Sequence, residues 1–252
     1  MRRAGPYVFA LAAWAAATAL ACRLAGPALA PGPAAILAEL ARLASSGELF
    51  AEMGLTVGRA LLGLALANLV GAPLGLAAGR ASWALSLTAP LVAGLQACPP
   101  IVWVSIVMVW AGAGSLVPTA TVFAATFPFV FSTTAQGALG LDRRILGMSR
   151  LYGVPRRRLW RRFILPGVWP FWLAGLSTTL AAGWKAAAVA EFLGSPRGVG
   201  AKIFWSLSQL RMERLQAWTL ALVALGLALE AAVVTPLRRR AAGLGAGQNA
   251  AG

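Results

Sequence analysis

Histidine is absent from this 252-residue chain, and acids are scarce, with 7 Asp and Glu against 22 Lys and Arg. The commonest general base and the commonest metal ligand are therefore missing. There are two cysteines, Cys22 and Cys98, far apart in apolar stretches. A zinc site needs closely spaced ligand pairs, so no metal site is expected, and both cysteines read as small packing residues. Charge as a whole is thin. Only 12% of residues are charged and 59% are hydrophobic, with mean hydropathy +0.75, whereas a soluble domain carries about 25% charged residues. A globule of this length still exposes much of its surface, so the solvent around such a chain is lipid. The sequence therefore predicts an all-α membrane protein.

What charge there is has one sign. The net charge of +15 does not imply nucleic acid, because the basic residues do not form a soluble face. They cluster at Arg2-Arg3, from Arg143 to Arg162 and at Arg238-Arg239-Arg240, between or beyond apolar runs. That is the positive-inside pattern of cytoplasmic loops. The N-terminal run resembles a signal peptide, with Arg2-Arg3 before it and Ala28-Leu29-Ala30 after it. Its apolar core is longer than the usual signal, so a retained helix is expected.

Six spans are legible, since a crossing needs about 20 apolar residues. They are Tyr7 to Leu29, Met53 to Gly79, Leu85 to Trp110 broken at Pro99-Pro100, Val117 to Leu139, Val168 to Ala190, and Trp218 to Pro236. The second is rich in glycine (Gly54, Gly58, Gly63, Gly71, Gly75), as closely packed membrane helices often are. Ala34 to Ser45 has apolar residues at helical spacing and reads as an interfacial helix or a packed connector. With the N-terminus inside, 14 of the 22 basic residues fall on the inner side, which puts both termini in the cytoplasm. The division expected is 1–52 for the first span and connector, 53–237 for a core with a cytoplasmic loop at 140–166, and 238–252 for a disordered tail.

The loop reads LDRRILGMSRLYGVPRRRLWRRFILP over Leu141 to Pro166. Asp142 to Tyr152 predicts a short helix with Ile145, Leu146, Met148 and Leu151 as its apolar contacts. Gly153 can end it in the left-handed conformation, and Pro155 can open a second helix. Leu159, Trp160 and Phe163 give that helix an apolar side. Such a unit offers a rigid knob to another protein or to anionic lipid.

The loop resembles the cytoplasmic motif of binding-protein-dependent ABC permeases, E-A-A-x-x-x-G followed after nine intervening residues by I-x-L-P. Gly153, Leu165 and Pro166 match it, and Phe163 stands for the isoleucine. The opening triad departs, holding Gly147, Met148 and Ser149, so the glutamate is missing. Outside the loop, Leu55 to Arg59, Gly71-Ala72-Pro73-Leu74-Gly75, Pro90 to Pro100, Phe127-Pro128, Gly183-Trp184, Ala190-Glu191 and Gly198-Val199-Gly200 resemble the nitrate/sulfonate/taurine-type permeases in order and spacing. The resemblance implies a type I ABC importer permease-like core in a bacterial inner membrane. It implies four partners: a cytoplasmic ABC ATPase that carries ATP and Mg, an extracytoplasmic solute-binding protein, a second permease copy and membrane lipid. The chain itself would hold no cofactor and perform no catalysis. The ATPase-contacting residues carried over are Leu146, Gly147, Met148, Ser149, Tyr152, Gly153, Pro155, Leu165 and Pro166.

Candidates for a translocation path are Gln96, Pro99, Pro100, Ser105, Trp184 and Lys185. Lys185 stands inside the fifth span, and a charge there costs at least about 2.5–3.5 kcal/mol, so its default reading is functional. A cation suits a small anion such as nitrate, a sulfonate, taurine or bicarbonate. The bland alternatives are snorkelling to the outer interface or pairing with Glu191. Paired prolines free backbone carbonyls, which membranes tolerate only against protein or water. Three other classes stay open on the residues alone: an ATP-independent secondary transporter or channel, a membrane enzyme and a structural subunit.

Overall fold

In lipid every backbone polar group must be satisfied within the chain, which leaves helices as the economical solution for these apolar runs. The computed structural model describes residues 5–26, 29–237 and 239, and among them there are helices and no strands. In chain order the helices are α1 (Gly5–Ala25), α2 (Pro33–Ser45), α3 (Glu48–Arg80), α4 (Ser82–Ala97), α5 (Pro100–Ala111), α6 (Leu116–Leu139), α7 (Arg143–Leu151), α8 (Arg156–Leu159), α9 (Leu165–Gly194), α10 (Val199–Ser208) and α11 (Met212–Leu229). A π-turn at Trp160–Ile164 joins α8 to α9, and a second at Glu230–Val234 continues α11.

Four stretches are long and apolar enough to cross a membrane: Glu48–Arg80, Leu116–Leu139, Arg156–Gly194 and Met212–Leu237. The pair α4–α5 makes a fifth if it is one crossing, although it bends by 91°. The first predicted span corresponds to α1, whose described apolar stretch, Ala13–Leu24, is shorter than a crossing. It ends at Gly26, in the left-handed region at φ +80, rather than at Leu29. The predicted boundary at 52/53 falls inside α3, which begins at Glu48. Arg2-Arg3 and the predicted tail, apart from Arg239, lie outside the described residues.

Glycine sets how the core closes. Along α3, Gly63, Gly71, Gly75 and Gly79 meet Thr119, Phe127, Phe131 and Ala135 of α6, largely through backbone oxygens. The partner numbers rise together, so α3 and α6 run parallel. Adjacent spans that run parallel need a return between them. From the level of Arg80 to that of Arg59 is 21 residues of helix, about 32 Å at 1.5 Å per residue. Arg59 bonds Ser115 beside the start of α6. The α4–α5 pair therefore climbs a full membrane thickness despite its bend. Against α9 the order reverses, with Gly137 beside Phe171, Gly175 beside Thr133 and Gly183 beside Val122, so α6 and α9 are antiparallel. Trp172 donates from Nε1 to Asn68 Oδ1 at 3.1 Å, a polar link between α9 and α3 inside the apolar zone.

Helix α2 is a packed element. Its Ile36 and Leu43 are fully buried with Leu49, Val199, Ala217, Trp218 and Ala221, so α2 braces α3, α10 and α11 at one end of the bundle. Two glycines that the composition groups with the packing set behave otherwise. Gly54 and Gly58 face open space.

Substituting Gly75→Val should lower the melting temperature in detergent, because a Cβ there meets the Phe131 carbonyl; overpacking of this kind costs about 1–3 kcal/mol. Gly54→Ala should leave it unchanged or raise it, since the helix gains up to about 1 kcal/mol of propensity. Equal losses in both would show that the α3–α6 approach does not set stability.

Candidate functional site

Helix α7 starts where Asp142 Oδ1 accepts from the Arg144 backbone N–H at 2.7 Å, as an N-cap side chain does. It ends at Gly153, φ +61. Val154 N–H reaches back to the Ser149 carbonyl at 2.9 Å, the six-to-one bond of a Schellman-type cap. Pro155 precedes α8 with extended backbone. The helix–glycine–helix unit predicted from the loop is present, with one difference. The second helix does not stop at Leu165-Pro166. It runs on through the π-turn into the span as one 39-residue stretch, Arg156–Gly194, with Pro166 placed directly after the wide turn in which Leu165 N–H bonds the Trp160 carbonyl.

The predicted apolar contacts of α7 divide into two faces. Leu146 packs with Leu159, Trp160 and Phe163 on Ala138, Leu141, Ile164 and Val168, and Ser149 is buried with its hydroxyl on the Leu146 carbonyl. Ile145, Met148, Leu151 and Tyr152 point the other way. Leu151 is 86% exposed and Tyr152 83%, and Gly147, Pro155, Leu165 and Pro166 are exposed too. An apolar patch is thus presented by a helix whose other face is anchored to the bundle. Exposed Arg144, Arg156, Arg157 and Arg158 neighbour it in sequence.

The path candidates lie on separate helices. Gln96 of α4 donates from Nε2 to the Pro128 carbonyl at 3.1 Å and to Ser132 Oγ at 2.9 Å, tying α4 to the proline-interrupted middle of α6. Pro99 and Pro100 make the corner between α4 and α5, with Pro99 extended and its carbonyl accepting from Val102 N–H. Ser105 bonds its own helix at Ile101 and is exposed. Trp184 packs its ring against Gly226 of α11. Lys185 is exposed on the single chain, with Nζ 5.8 Å from the centre of the Trp184 ring, near the outer limit of a cation–π contact. Its exposed neighbours along α9 are Thr178, Ala182 and Val189.

Lys185 does not pair with Glu191. That carboxylate belongs to a network which the sequence did not reveal. Glu191 is 0% exposed. Its oxygens accept from Arg59 Nη1 at 2.7 Å, from Thr56 Oγ1 at 2.7 Å and from Gly200 N–H at 3.3 Å. Arg59 also donates to the Arg197 carbonyl at 2.7 Å and to Ser115 Oγ at 2.8 Å. Buried Glu52 accepts from Gly198 N–H at 2.6 Å. Five segments meet here: α3, the start of α6, the end of α9, the turn after it and α10. The signal that could have found it was an arginine, Arg59, inside the second span, opposite in sign to the acid that ends the fifth. At the same end of the bundle Glu48 binds Lys202 and Arg214. Nearby, the hydrogen bond from Arg42 holds the Glu39 carboxyl below its ordinary range.

The family described as "Binding-protein-dependent transport system inner membrane component" matches residues 71–235. A protein named "Probable ABC transporter permease protein" from Brucella melitensis is 26% identical over 175 residues, covering 69% of this chain and 71% of its own. A protein named "Putative aliphatic sulfonates transport permease protein SsuC" from Escherichia coli is 28% identical over 170 residues, 68% of this chain and 65% of its own. The taurine transport system permease TauC of the same organism is 24% identical over 192 residues, 74% and 69%.

Removing Arg59 with Glu191 left in place should destabilise the chain by about 3–5 kcal/mol, the cost of stranding one partner of a buried pair. Arg59→Met combined with Glu191→Met should recover most of the loss. Thermal unfolding in detergent reads both. A double variant no better than the singles would mean that the charges themselves, not their pairing, are required.

Proposed function

Since this chain belongs to the binding-protein-dependent transport system inner membrane components, multi-pass proteins of the inner membrane, we propose that it forms the translocation path of an ATP-driven importer for a small anion of the sulfonate or taurine kind. The observation that carries this is the two-faced α7. One side is buried against the bundle, and the other offers Met148, Leu151 and Tyr152 to a partner. Exposed apolar patches on a loop outside the membrane mark protein contacts. The partner proposed is a cytoplasmic ATPase that binds ATP and Mg. Closure of two ATPases moves α7, and the unbroken helix from Arg156 to Gly194 carries that movement into the membrane. The missing glutamate of the opening triad leaves the contact mostly apolar.

A second copy of the chain completes the path. On a single chain Gln96, Ser105, Thr178 and Lys185 are exposed at span positions, where hydrocarbon would penalise them. A facing copy turns that cost into a lined, water-filled route, with the Pro99-Pro100 corner as its narrowing. An extracytoplasmic binding protein delivers the solute to the end that holds the Glu191 network. The substrate class rests on the sulfonate and taurine relatives and on the cation at Lys185.

Met148→Glu with Tyr152→Glu should abolish co-purification of the partner ATPase and lower its stimulation by loaded binding protein at least tenfold, about 1.4 kcal/mol or more. The chain should still reach the membrane folded, because both side chains are exposed. Robust substrate flux through the purified chain alone, with no ATPase bound, would sink the proposal in favour of a secondary transporter. Lys185→Gln should raise the half-saturating concentration of an anionic solute in reconstituted vesicles, and Lys185→Arg should restore it; an unchanged value in Lys185→Gln would remove Lys185 from the path.

A further inference from the structure

We propose that the concavity between the arginine-rich loop and the end of α3 binds the headgroup phosphate of an anionic phospholipid. It measures about 520 Å³ and is lined by Gly79, Arg80, Leu146, Ser149, Arg156 and Trp160 among others. Two arginines therefore border one cavity. The Arg80 guanidinium carbon lies 4.8 Å above the centre of the Trp160 ring, a contact that holds the cation in place. Five of the seven carboxylates are engaged elsewhere. Glu39, Glu48, Glu52 and Glu191 pair with Arg42, Arg214, Lys202, Arg197 and Arg59, and Asp142 caps α7. Among the described residues neither Arg80 nor Arg156 has an ion-pair partner, so an incoming anion displaces no acid.

The level of the site selects the source of that anion. Arg80 is the last residue of one apolar span, and Arg156 opens the basic stretch that leads into another, so the cavity they share lies at the end of the spans. A tryptophan at this depth suits the interfacial belt, and basic pockets between spans are where anionic headgroups dock. The same end of α3 also borders an apolar groove of about 540 Å³ lined by residues such as Leu74, Ala77, Ala81, Leu91 and Phe127. A free phosphate would use the basic cavity and leave the groove empty. A phospholipid supplies an anion for the first and chains for the second. Bound there, it bridges α8 to α3 at the base of the loop. The assignment needs only the membrane placement of the chain, so it stands or falls apart from the importer proposal.

The test is native mass spectrometry of the full chain in detergent, titrated with phosphatidylglycerol or with phosphatidylcholine of the same acyl chains. The wild type should bind the anionic lipid more tightly. Arg80→Gln with Arg156→Gln should weaken that binding about tenfold or more. Both side chains are exposed, so the variant should fold, and its melting temperature checks this. A charge-matched variant, Arg157→Gln with Arg158→Gln, alters the same loop outside the cavity and should keep wild-type affinity. Equal weakening in the two double variants would replace the site with diffuse attraction to a basic surface. Equal affinity for the two lipids, or saturation of the site by inorganic phosphate alone, would also overturn the proposal.

Discussion

A carboxylate without access to water must be surrounded by donors, and much of this bundle's upper end is arranged to satisfy that demand at Glu191. The residue sits at the end of the longest span. Its charge is met by Arg59 and Thr56 from α3 and by a backbone N–H of α10. Arg59 then needs further acceptors of its own, and it takes them from the turn after α9 and from the start of α6. Charge burial is thus propagated into a fixed geometry. The net free energy of such a pair is small or even unfavourable against an apolar substitute. Its effect lies in specificity, because few arrangements of these five segments leave no charge stranded.

The two ends of the bundle solve electrostatics differently. Beside Glu191 most charges are paired, and Glu48 alone engages both Lys202 and Arg214. At the other end arginines gather with one nearby acid, Asp142, which spends its side chain on a helix cap. Mutual repulsion there is relieved by water, by the Trp160 ring beneath Arg80 and by whatever anions the surroundings supply. Between the ends, stability comes from small residues. The α3–α6 approach is close enough that backbone oxygens of one helix occupy the space a side chain of the other would need, in keeping with helix association that has no hydrophobic drive inside lipid.

Local features were legible from the chain, and long-range ones were not. Gly153 and Pro155 announced the turn and the second helix, because glycine and proline act on their own dihedrals. The run of apolar residues announced the spans for the same reason. The inward face of α7 was only partly readable, since Leu146 and Met148 look alike until the bundle that buries one of them is present. Lys185 drew attention as a charge in a span, yet its nearest acid in sequence, Glu191, belongs to Arg59, which lies 132 residues away. The bend at Pro99-Pro100 could be foreseen, but not its 91°, which depends on the return path between two parallel helices. The merger of the loop's second helix with α9 was not legible, because it depends on a wide turn at Trp160–Ile164 that only the folded chain shows.

That merger has a consequence for how the chain can change in length over evolution. Each residue of an α-helix turns its successors by roughly 100°. Before Gly153 an inserted or deleted residue can be taken up by the left-handed turn. Between Arg156 and Ile164 nothing absorbs it except the π-turn, and a change there rotates every later side chain of the span, carrying Glu191 away from Arg59 and Gly175 away from Thr133. Natural variants should therefore differ in length on the near side of the turn and hold the count fixed on the far side.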